Sequence, residues 1–396
     1  MFAIGGVKES FTIMMIGRFI FGLGGENMTV GQSAIISQWF KGNELNFAFG
    51  LNLSVARLGS TINGPVENWA AENHSVGYGL MIGFGICLFS LIIALVLVYI
   101  DWWAEKKDNV QVEKDPNDAF SWREIGNFKL PFWLVTGSCV VIYMVIFIYI
   151  GNSEDMLVAK FGFTEADASL WYTTPYIISA FASPILGIVI DKVGKRALFI
   201  CASSILILIA CIISMLIPDS EPGKRNNTIF LPLSMLGLGY SVYAAALWGS
   251  VPYVCEPKQI GTAYGLVTSV QNIGLTISPL IAGVMLKTEK DGGYFWYFIY
   301  FEVLAVIGIC LNLWLYMDDL KYRGGILNKV DKGEELADLM ATPRQDTKSK
   351  ARQMREELAA NGDEGQKAAL LQYKLDDEAR ASLRRSVARN SMAATK

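Results

Sequence analysis

Long runs of apolar residues dominate the chain up to about Asp318 and predict membrane-spanning helices. Leu80–Tyr99, Pro131–Ile150 and Ala197–Ile217 are nearly free of charged residues. Each has about 20 residues, the length that crosses a hydrocarbon core of roughly 30 Å as a helix. A soluble protein would need several fully buried helices of this length, which exceeds the usual helix length of soluble domains. The pattern therefore predicts an all-α polytopic membrane protein.

Nine spanning helices are expected when the shorter and more polar apolar runs are included. Their predicted ranges are Ser10–Phe40, Glu44–Trp69, Gly77–Trp103, Leu130–Gly151, Ala166–Ile190, Ala197–Ile217, Ile229–Cys255, Gly261–Leu286 and Tyr294–Met317. The organisation that follows is three helices in 1–104, a polar loop at 105–129, six helices in 130–318 and a charged tail at 319–396.

The basic residues of the connecting loops predict the orientation of these helices. Lys and Arg are enriched in the loops around 104–130 and 191–196 and just after Asp318, and they are sparser in the alternate loops. Because cytosolic loops carry the excess of Lys and Arg, the enriched set and the tail are predicted to be cytosolic.

Composition excludes several kinds of site. The 396 residues are 52% hydrophobic and only 18% charged, and the net charge of −3 averages an apolar region with a charged tail, so it indicates no partner. The six cysteines lie in or beside apolar runs without a CxxC pair, and His74 is the only histidine. We therefore expect no disulfide framework, metal, cofactor, nucleic-acid partner or enzymatic activity.

An internal repeat relates the first two predicted helices to the fourth and fifth of the six predicted helices in 130–318. A shift that places Gly22-Leu-Gly24 on Gly237-Leu-Gly239 also aligns a run of identities from Ala48–Ile62 with Ala263–Ile277. Helices that repeat in the same direction indicate two homologous halves related by an axis along the membrane normal. The counterpart of the helix at Leu130 would lie upstream of Met1. The sequence thus predicts nine of twelve helices, and we favour an incomplete gene sequence over a natural nine-helix form.

The connection Asp191-Lys-Val-Gly194-Lys195-Arg196 joins two predicted helices by a very short cytosolic turn. Gly194 permits a tight bend. Asp191 with Lys195 and Arg196 can make or break charge contacts as neighbouring helices rock, which indicates a gating loop. The alternative is that the basic residues only anchor the helix ends by their charge.

Charged residues inside predicted helices are candidates for a site that binds a polar ligand. A charge at mid-bilayer costs roughly 2.5–3.5 kcal/mol, so Glu26 and Arg57 each need a partner or a wet cavity. Both lie roughly 20–24 Å from the turn between their antiparallel helices, so they share one depth. A carboxylate and a guanidinium at one level suit a zwitterion. The alternative is a structural ion pair. Arg18 is interpreted as structural. Five aromatic residues are candidates for lining a cavity, with ordinary helix packing as the alternative: Tyr143, Tyr149, Tyr176, Tyr243 and Trp248.

Several runs of residues resemble one transporter family. These runs are Gly17–Glu26, Trp39–Gly42, Ala56–Thr61, Lys160–Phe163, Asp191–Lys195, Ala246–Trp248, Gly261–Gly265 and Gln271–Gly274. The chain resembles the lysosomal dipeptide transporter family called major facilitator superfamily domain-containing protein one. The loop at Asp191 and the run Gly17-Arg18…Gly22 likewise resemble major facilitator signatures.

The resemblance implies the twelve-helix major facilitator fold, a multi-pass lysosomal location and export of zwitterionic or cationic dipeptides to the cytosol by uniport. It also implies a glycosylated single-span accessory membrane protein as a partner beside the lipid bilayer. Glu26 and Arg57 match the charged substrate-binding positions of the family, and Asn272 completes the predicted binding set. The chain departs from the family in its missing first helices and its charged tail, and Ile148 and Gly249 stand where prolines are expected.

Two other functions remain open at this point. One is a proton-coupled carrier of a sugar or organic anion, in which pH-dependent flux would require Glu26 or Glu302. The other is a truncated, non-transporting scaffold whose tail binds partners. For a protein of either kind, another endomembrane or the plasma membrane is an alternative location.

Overall fold

A computed structural model describes residues 1–8, 10–40, 44–108, 125–220, 224–256, 259–288 and 294–330. Within these ranges every regular element is helical. In chain order the α-helices are α1 (Phe2–Val7), α2 (Phe11–Trp39), α3 (Leu45–Asn73), α4 (Val76–Asp108), α5 (Leu130–Gly151), α6 (Ser153–Ala159), α7 (Glu165–Trp171), α8 (Thr174–Val193), α9 (Arg196–Leu216), α10 (Phe230–Trp248), α11 (Ile260–Thr288) and α12 (Phe295–Tyr322).

The nine long helices of the described ranges correspond to the nine predicted ones. Seven helical segments are long and apolar enough to cross a membrane by length and composition, and they begin with α4. The helices α2 and α3 have 29 residues each but are more polar, because they carry Arg18, Glu26 and Arg57. The all-α polytopic fold predicted from the apolar runs is therefore confirmed, and the two most polar long helices are those that carry the predicted charges.

Two predicted helices are interrupted in the structure. The one expected over Ala166–Ile190 divides into α7 and α8, because Pro175 has no N–H to donate and restricts the residue before it. The side chains of Thr173 and Thr174 instead bond the carbonyls of Leu170 and Trp171 at 2.6 Å each. The helix expected to reach Cys255 ends at Trp248 and continues as a 3₁₀ turn.

The boundaries of the predicted polar segments also shift. Helix α4 runs to Asp108 and α12 to Tyr322, past their expected ends at Trp103 and Met317. After α12, Gly324 and Gly325 adopt positive φ angles and turn the chain back so that Leu327 is buried. Most of the loop 105–129 and of the tail 319–396 lies outside the described residues.

In the sequence, the polar loop 105–129 separates an N-terminal half, α1–α4, from a C-terminal half, α5–α12. Helices α5, α9, α10 and α12 pack together around the buried core of the C-terminal half. From the N-terminal half, α3 packs along α8 and also contacts α10, whereas α2 contacts α11. The polar helices α2 and α3 are thus the ones that meet the other half.

Candidate functional site

The guanidinium of Arg57 lies among aromatic rings that belong to the opposite half. Its Cζ atom is 4.4 Å from the ring centroid of Tyr240, 5.6 Å from that of Tyr176 and 5.8 Å from that of Phe147. We call Phe147, Tyr176 and Tyr240 the aromatic cage. All three distances are within about 6 Å, the range in which a cation is attracted to the electron-rich face of an aromatic ring. The Nε atom of Arg57 is buried and has no hydrogen-bond partner.

A second layer of aromatic residues holds the cage in place. The ring of Tyr143 stands edge-on to those of Tyr240 and Trp248, at 5.9 and 6.2 Å. The hydroxyl of Tyr143 accepts a hydrogen bond of 2.7 Å from Nε1 of Trp248. Of the aromatic residues predicted to line a cavity, Tyr176 therefore lies against Arg57, and Trp248 lies one ring behind it.

Glu26 lies apart from Arg57. Its side chain is exposed on α2, and among the described residues it forms no ion pair with Arg57. Closer to the cytosolic turn, the two helices are joined by a 2.6 Å hydrogen bond from Gln32 to Asn52. The structural ion pair considered from the sequence is thus not made in this conformation, and both charged groups are available to other partners.

Arg18 and Asn272, the other intramembrane residues singled out, lie away from the cage. Arg18 is exposed on α2, with its guanidinium 5.4 Å from the ring of Phe2 in α1. Its interpretation as a structural charge stays a prediction. Asn272 is half-buried on α11, and its carbonyl accepts a 2.8 Å bond from the hydroxyl of Thr276. Nothing in its described contacts joins it to Arg57.

The sequence interpretation missed Phe147 and Tyr240. Each stands one helical turn from a tyrosine that was considered, Phe147 after Tyr143 and Tyr240 before Tyr243. Residues three or four apart share a helix face, so this spacing is the signal that could have found them.

Asp191, at the end of α8, caps the first turn of α3. Its carboxylate accepts hydrogen bonds from the backbone N of Phe47 at 2.8 Å and from the backbone N and side-chain Nδ2 of Asn46 at 3.2 and 2.6 Å. The first N–H groups of a helix have no partner within the helix, and the helix dipole favours a negative charge there. The end of α8 is thereby attached to the beginning of α3, across the two halves.

Arg196 supports Asp191 from inside the C-terminal half. It is fully buried, 3.9 Å from Asp191, and its guanidinium lies 4.4 Å from the ring centroid of Tyr253. Its Nη1 donates to the carbonyl of Lys329 at 3.5 Å. A residue that only anchors a helix end at the membrane surface is exposed to lipid headgroups and water, so this burial favours a role in the gating loop.

Gly194 and Lys195 form the tight turn of that loop. Their φ angles are +68° and +52°, and the backbone N of Lys195 donates to the carbonyl of Asn328 at 3.2 Å. A Cβ atom on Gly194 would lie 2.9 Å from the backbone of Lys329. Glycine is therefore required at 194 both for the left-handed conformation and for the close approach of the segment after α12.

The seam between α3 and α8 is closed along most of its length. Near the predicted cytosolic end, a Cβ atom on Gly187 would lie 2.8 Å from the Cα of Phe47. In the middle, the hydroxyl of Ser54 donates to the carbonyl of Ala180. Towards the other end, a Cβ atom on Gly64 would lie 2.9 Å from the hydroxyl of Tyr172. Arg57 lies between these last two contacts.

The second contact between the halves is aromatic. Tyr264 of α11 stacks on Trp248, with centroids 6.1 Å apart and planes 26° apart, and its hydroxyl donates to the carbonyl of Trp248 at 3.1 Å. The ring of Phe49, from α3, lies 5.9 Å from that of Tyr264. Because Tyr264 and Trp248 both belong to the C-terminal half, the ring of Phe49 makes this a contact between the two halves.

At the opposite end, which the loop charges predict to be lumenal, acidic side chains line a small cavity. Its lining includes Glu154, Asp155, Glu165 and Tyr294. Partial burial raises the pKa of Glu154 above its ordinary value, and the neighbouring charges of Asp155 and Glu165 raise it further.

The chain matches known transporters over most of its length. The family model of the Major Facilitator Superfamily matches residues 1–156 and 141–358. The lysosomal dipeptide transporter MFSD1 of Bos taurus is 36% identical over 345 residues, which are 85% of this chain and 71% of that protein. The protein of the same name from Homo sapiens is 35% identical over 337 residues, 83% of this chain and 70% of that protein. The one from Danio rerio is 36% identical over 335 residues, with shares of 82% and 70%.

Proposed function

Since this chain belongs to the Major Facilitator Superfamily and, within it, to the family of the lysosomal dipeptide transporters, we propose that it carries dipeptides across the lysosomal membrane by alternating access. It is a multi-pass membrane protein of the lysosome, and its role is transport rather than catalysis. The direction of net movement is from the lumen to the cytosol, down the gradient that protein degradation maintains.

The observation that carries this proposal is the arrangement around Arg57. Its guanidinium lies on the surface where the two halves meet, without an acidic side chain paired to it in the described ranges, and Glu26 is exposed on the neighbouring helix. In major facilitators the solute binds between the halves near the bilayer midplane. A dipeptide carries one carboxylate and one ammonium group, so Arg57 binds the carboxylate through two parallel hydrogen bonds and Glu26 binds the ammonium.

Release to the cytosol requires that the contacts at the cytosolic end open. The cap that Asp191 provides for α3 and the stack of Phe49, Tyr264 and Trp248 both join one half to the other. We assign Asp191, Gly194, Lys195 and Arg196 to the loop that makes and breaks the first of these contacts. Tyr176, Trp248 and Asn272 remain proposed as neighbours of the bound dipeptide.

Two partners belong to this proposal. The lipid bilayer covers the apolar surface of α4, most of which is exposed on the protein. The resemblance of the sequence to its family supports a glycosylated single-span accessory protein as the second partner. Copurification of such a protein with the tagged chain from lysosomal membranes tests this, and a chain that purifies and transports alone would contradict it.

A proton-coupled carrier is the second candidate, and one observation favours it. Glu302 on α12 has a buried Oε1 atom without a hydrogen-bond partner. An intramembrane carboxyl without a partner is a candidate for proton binding. Uniport is preferred here because Glu302 lies on the last helix and has no described contact with the cage.

The experiment that tests dipeptide transport uses peptides blocked at either end. The purified chain in liposomes is loaded with unlabelled dipeptide, and the uptake of a labelled dipeptide by exchange is measured. A dipeptide amidated at its C-terminus loses the carboxylate, and an N-acetylated one loses the ammonium, so neither should compete. Competition by both blocked peptides equal to that of the free dipeptide would overturn the assignment.

A further inference from the structure

In the described part of the chain, the rings that contact the guanidinium of Arg57 all belong to the other half of the protein. Phe147 lies on α5, Tyr176 on α8 and Tyr240 on α10, whereas Arg57 lies on α3. Tyr240 is fully buried, and its ring stands edge-on to those of Tyr143 and Phe147 at 5.9 Å each. The cage is therefore a fixed feature of the C-terminal half that receives a charge from the N-terminal half.

The charge of Arg57 needs a partner at every stage of the transport cycle. Inside a membrane protein a guanidinium without a counter-charge, a wet cavity or another favourable contact is costly. While a dipeptide is bound, its carboxylate supplies the counter-charge. A uniporter must also return without a dipeptide, and during that return the site closes and loses water.

The structure shows a way to meet this requirement with protein groups alone. The seam around Arg57 is closed on one side by the Ser54–Ala180 hydrogen bond and on the other by the approach of Gly64 to Tyr172. Within this closed seam the guanidinium faces three aromatic rings, and its Nε atom is enclosed. A cation over an aromatic face is attracted most when both are removed from water.

We propose that the aromatic cage substitutes for the dipeptide carboxylate, so that the carrier can reorient without a bound solute. The cage then determines the mode of transport: with it the protein performs net uniport, and without it the protein is restricted to exchange of one dipeptide for another. This inference rests on the proposed function, because it concerns the return step of the same carrier.

The test compares net flux with exchange in the same liposomes. The chain carrying Tyr240→Leu loses the ring nearest to Arg57, and Tyr240→Phe keeps the ring but loses the hydroxyl. In Tyr240→Leu, net uptake of labelled dipeptide into liposomes without dipeptide should fall about tenfold, whereas uptake into preloaded liposomes should change by less than about twofold. A tenfold change in rate corresponds to about 1.4 kcal/mol in the barrier of the return step. Tyr240→Phe should keep both rates.

Phe147→Leu is the second variant, because it removes a less buried ring of the cage. It should change the ratio of exchange to net flux in the same direction as Tyr240→Leu. The proposal is overturned if that ratio stays unchanged in both variants, or if both lose exchange and net flux together, since the rings would then serve folding or dipeptide binding. Absence of exchange in the unmodified chain would instead contradict the proposed function itself.

Discussion

The carboxylate of Asp191 lies 2.8 Å from the backbone nitrogen of Phe47, 144 residues earlier in the chain. Through this bond the last turn of α8 caps the first turn of α3, and the C-terminal half closes on the N-terminal half at the predicted cytosolic side. The same carboxylate is held by Arg196, which is itself tied to Tyr253 and to the segment after α12. The capping bond therefore depends on a supporting network rather than on one contact.

In Asp191→Asn, the predicted cytosolic side of the protein should be open for a larger fraction of the time. The amide keeps a hydrogen-bond acceptor but loses the charge that favours a helix N-terminus, at a cost of about 1 kcal/mol. A cysteine introduced at buried Ala48 reports this opening, because its reaction with a polar thiol reagent should become about fivefold faster. Lys192→Gln, an exposed change in the same loop, is the control and should leave the rate unchanged. Equal labelling in Asp191→Asn would show that the cap does not hold the gate.

Gly187→Ala should impair transport, because the added methyl group would force α3 and α8 apart. The new Cβ atom would lie 2.8 Å from the Cα of Phe47, a backbone atom that cannot move by itself. Gly283→Ala is the matched control, because no atom lies within 4 Å of its Cβ position. Helix propensity predicts a gain of up to about 1 kcal/mol for Gly283→Ala. The two variants are compared by thermal unfolding in detergent and by dipeptide exchange, and equal exchange rates would contradict the closed seam.

The end of the protein predicted to be lumenal should be more stable at acidic pH. The pKa of Glu154 is raised in the folded protein, chiefly by burial and then by Asp155 and Glu165. An acid with a raised pKa stabilises the fold below its unfolded pKa, and that contribution is lost as the pH rises through the folded pKa. Glu154→Gln should therefore raise the melting temperature at neutral pH and flatten its fall between acidic and neutral pH.

The control for this measurement is Glu44→Gln, an exposed change at the start of α3 near the predicted cytosolic turn. It should leave the pH dependence of the melting temperature unchanged. A melting temperature of the Glu154→Gln protein that falls with pH as steeply as that of the unmodified chain would show that Glu154 does not respond to lumenal acidity.

Glu302→Gln separates uniport from proton coupling. Under uniport, the variant should keep dipeptide exchange, and a pH gradient should not drive accumulation of the dipeptide in the unmodified chain. The measurement is uptake into liposomes with and without an imposed pH gradient. Accumulation that the gradient drives and that Glu302→Gln abolishes would establish the proton-coupled alternative.

The helices could be predicted from the sequence because a membrane span leaves a strong local pattern of apolar residues. The prediction of one continuous helix over Ala166–Ile190 was wrong, because an apolar run does not reveal that a new helix begins beside Pro175. Asp191 and Arg196 could be singled out because a charged pair in a very short loop is unusual. That Asp191 caps α3 depends on a tertiary contact across the two halves, which no local pattern encodes.

The structure brings some of the predicted site residues together and sets others apart. Counting residues from the turn placed Glu26 and Arg57 at one depth, but depth fixes only one coordinate, and the structure sets the two side chains apart. The aromatic cage escaped prediction because Phe147 and Tyr240 are surrounded in sequence by other large apolar residues. Their role follows only from the guanidinium that α3 brings to them.

The central claim is that Arg57 binds the carboxylate of a dipeptide between the two halves. It is tested most directly by exchange of a labelled cationic dipeptide in liposomes containing the unmodified chain, Arg57→Lys or Arg57→Ala. Loss of a charged hydrogen bond of this kind costs about 1.5–3 kcal/mol. The account predicts saturable exchange in the unmodified chain. The rate should be reduced in Arg57→Lys, because an ammonium group cannot bind a carboxylate through two parallel hydrogen bonds. In Arg57→Ala the exchange rate should fall by at least about tenfold. Exchange by a folded Arg57→Ala protein at the rate of the unmodified chain would contradict it.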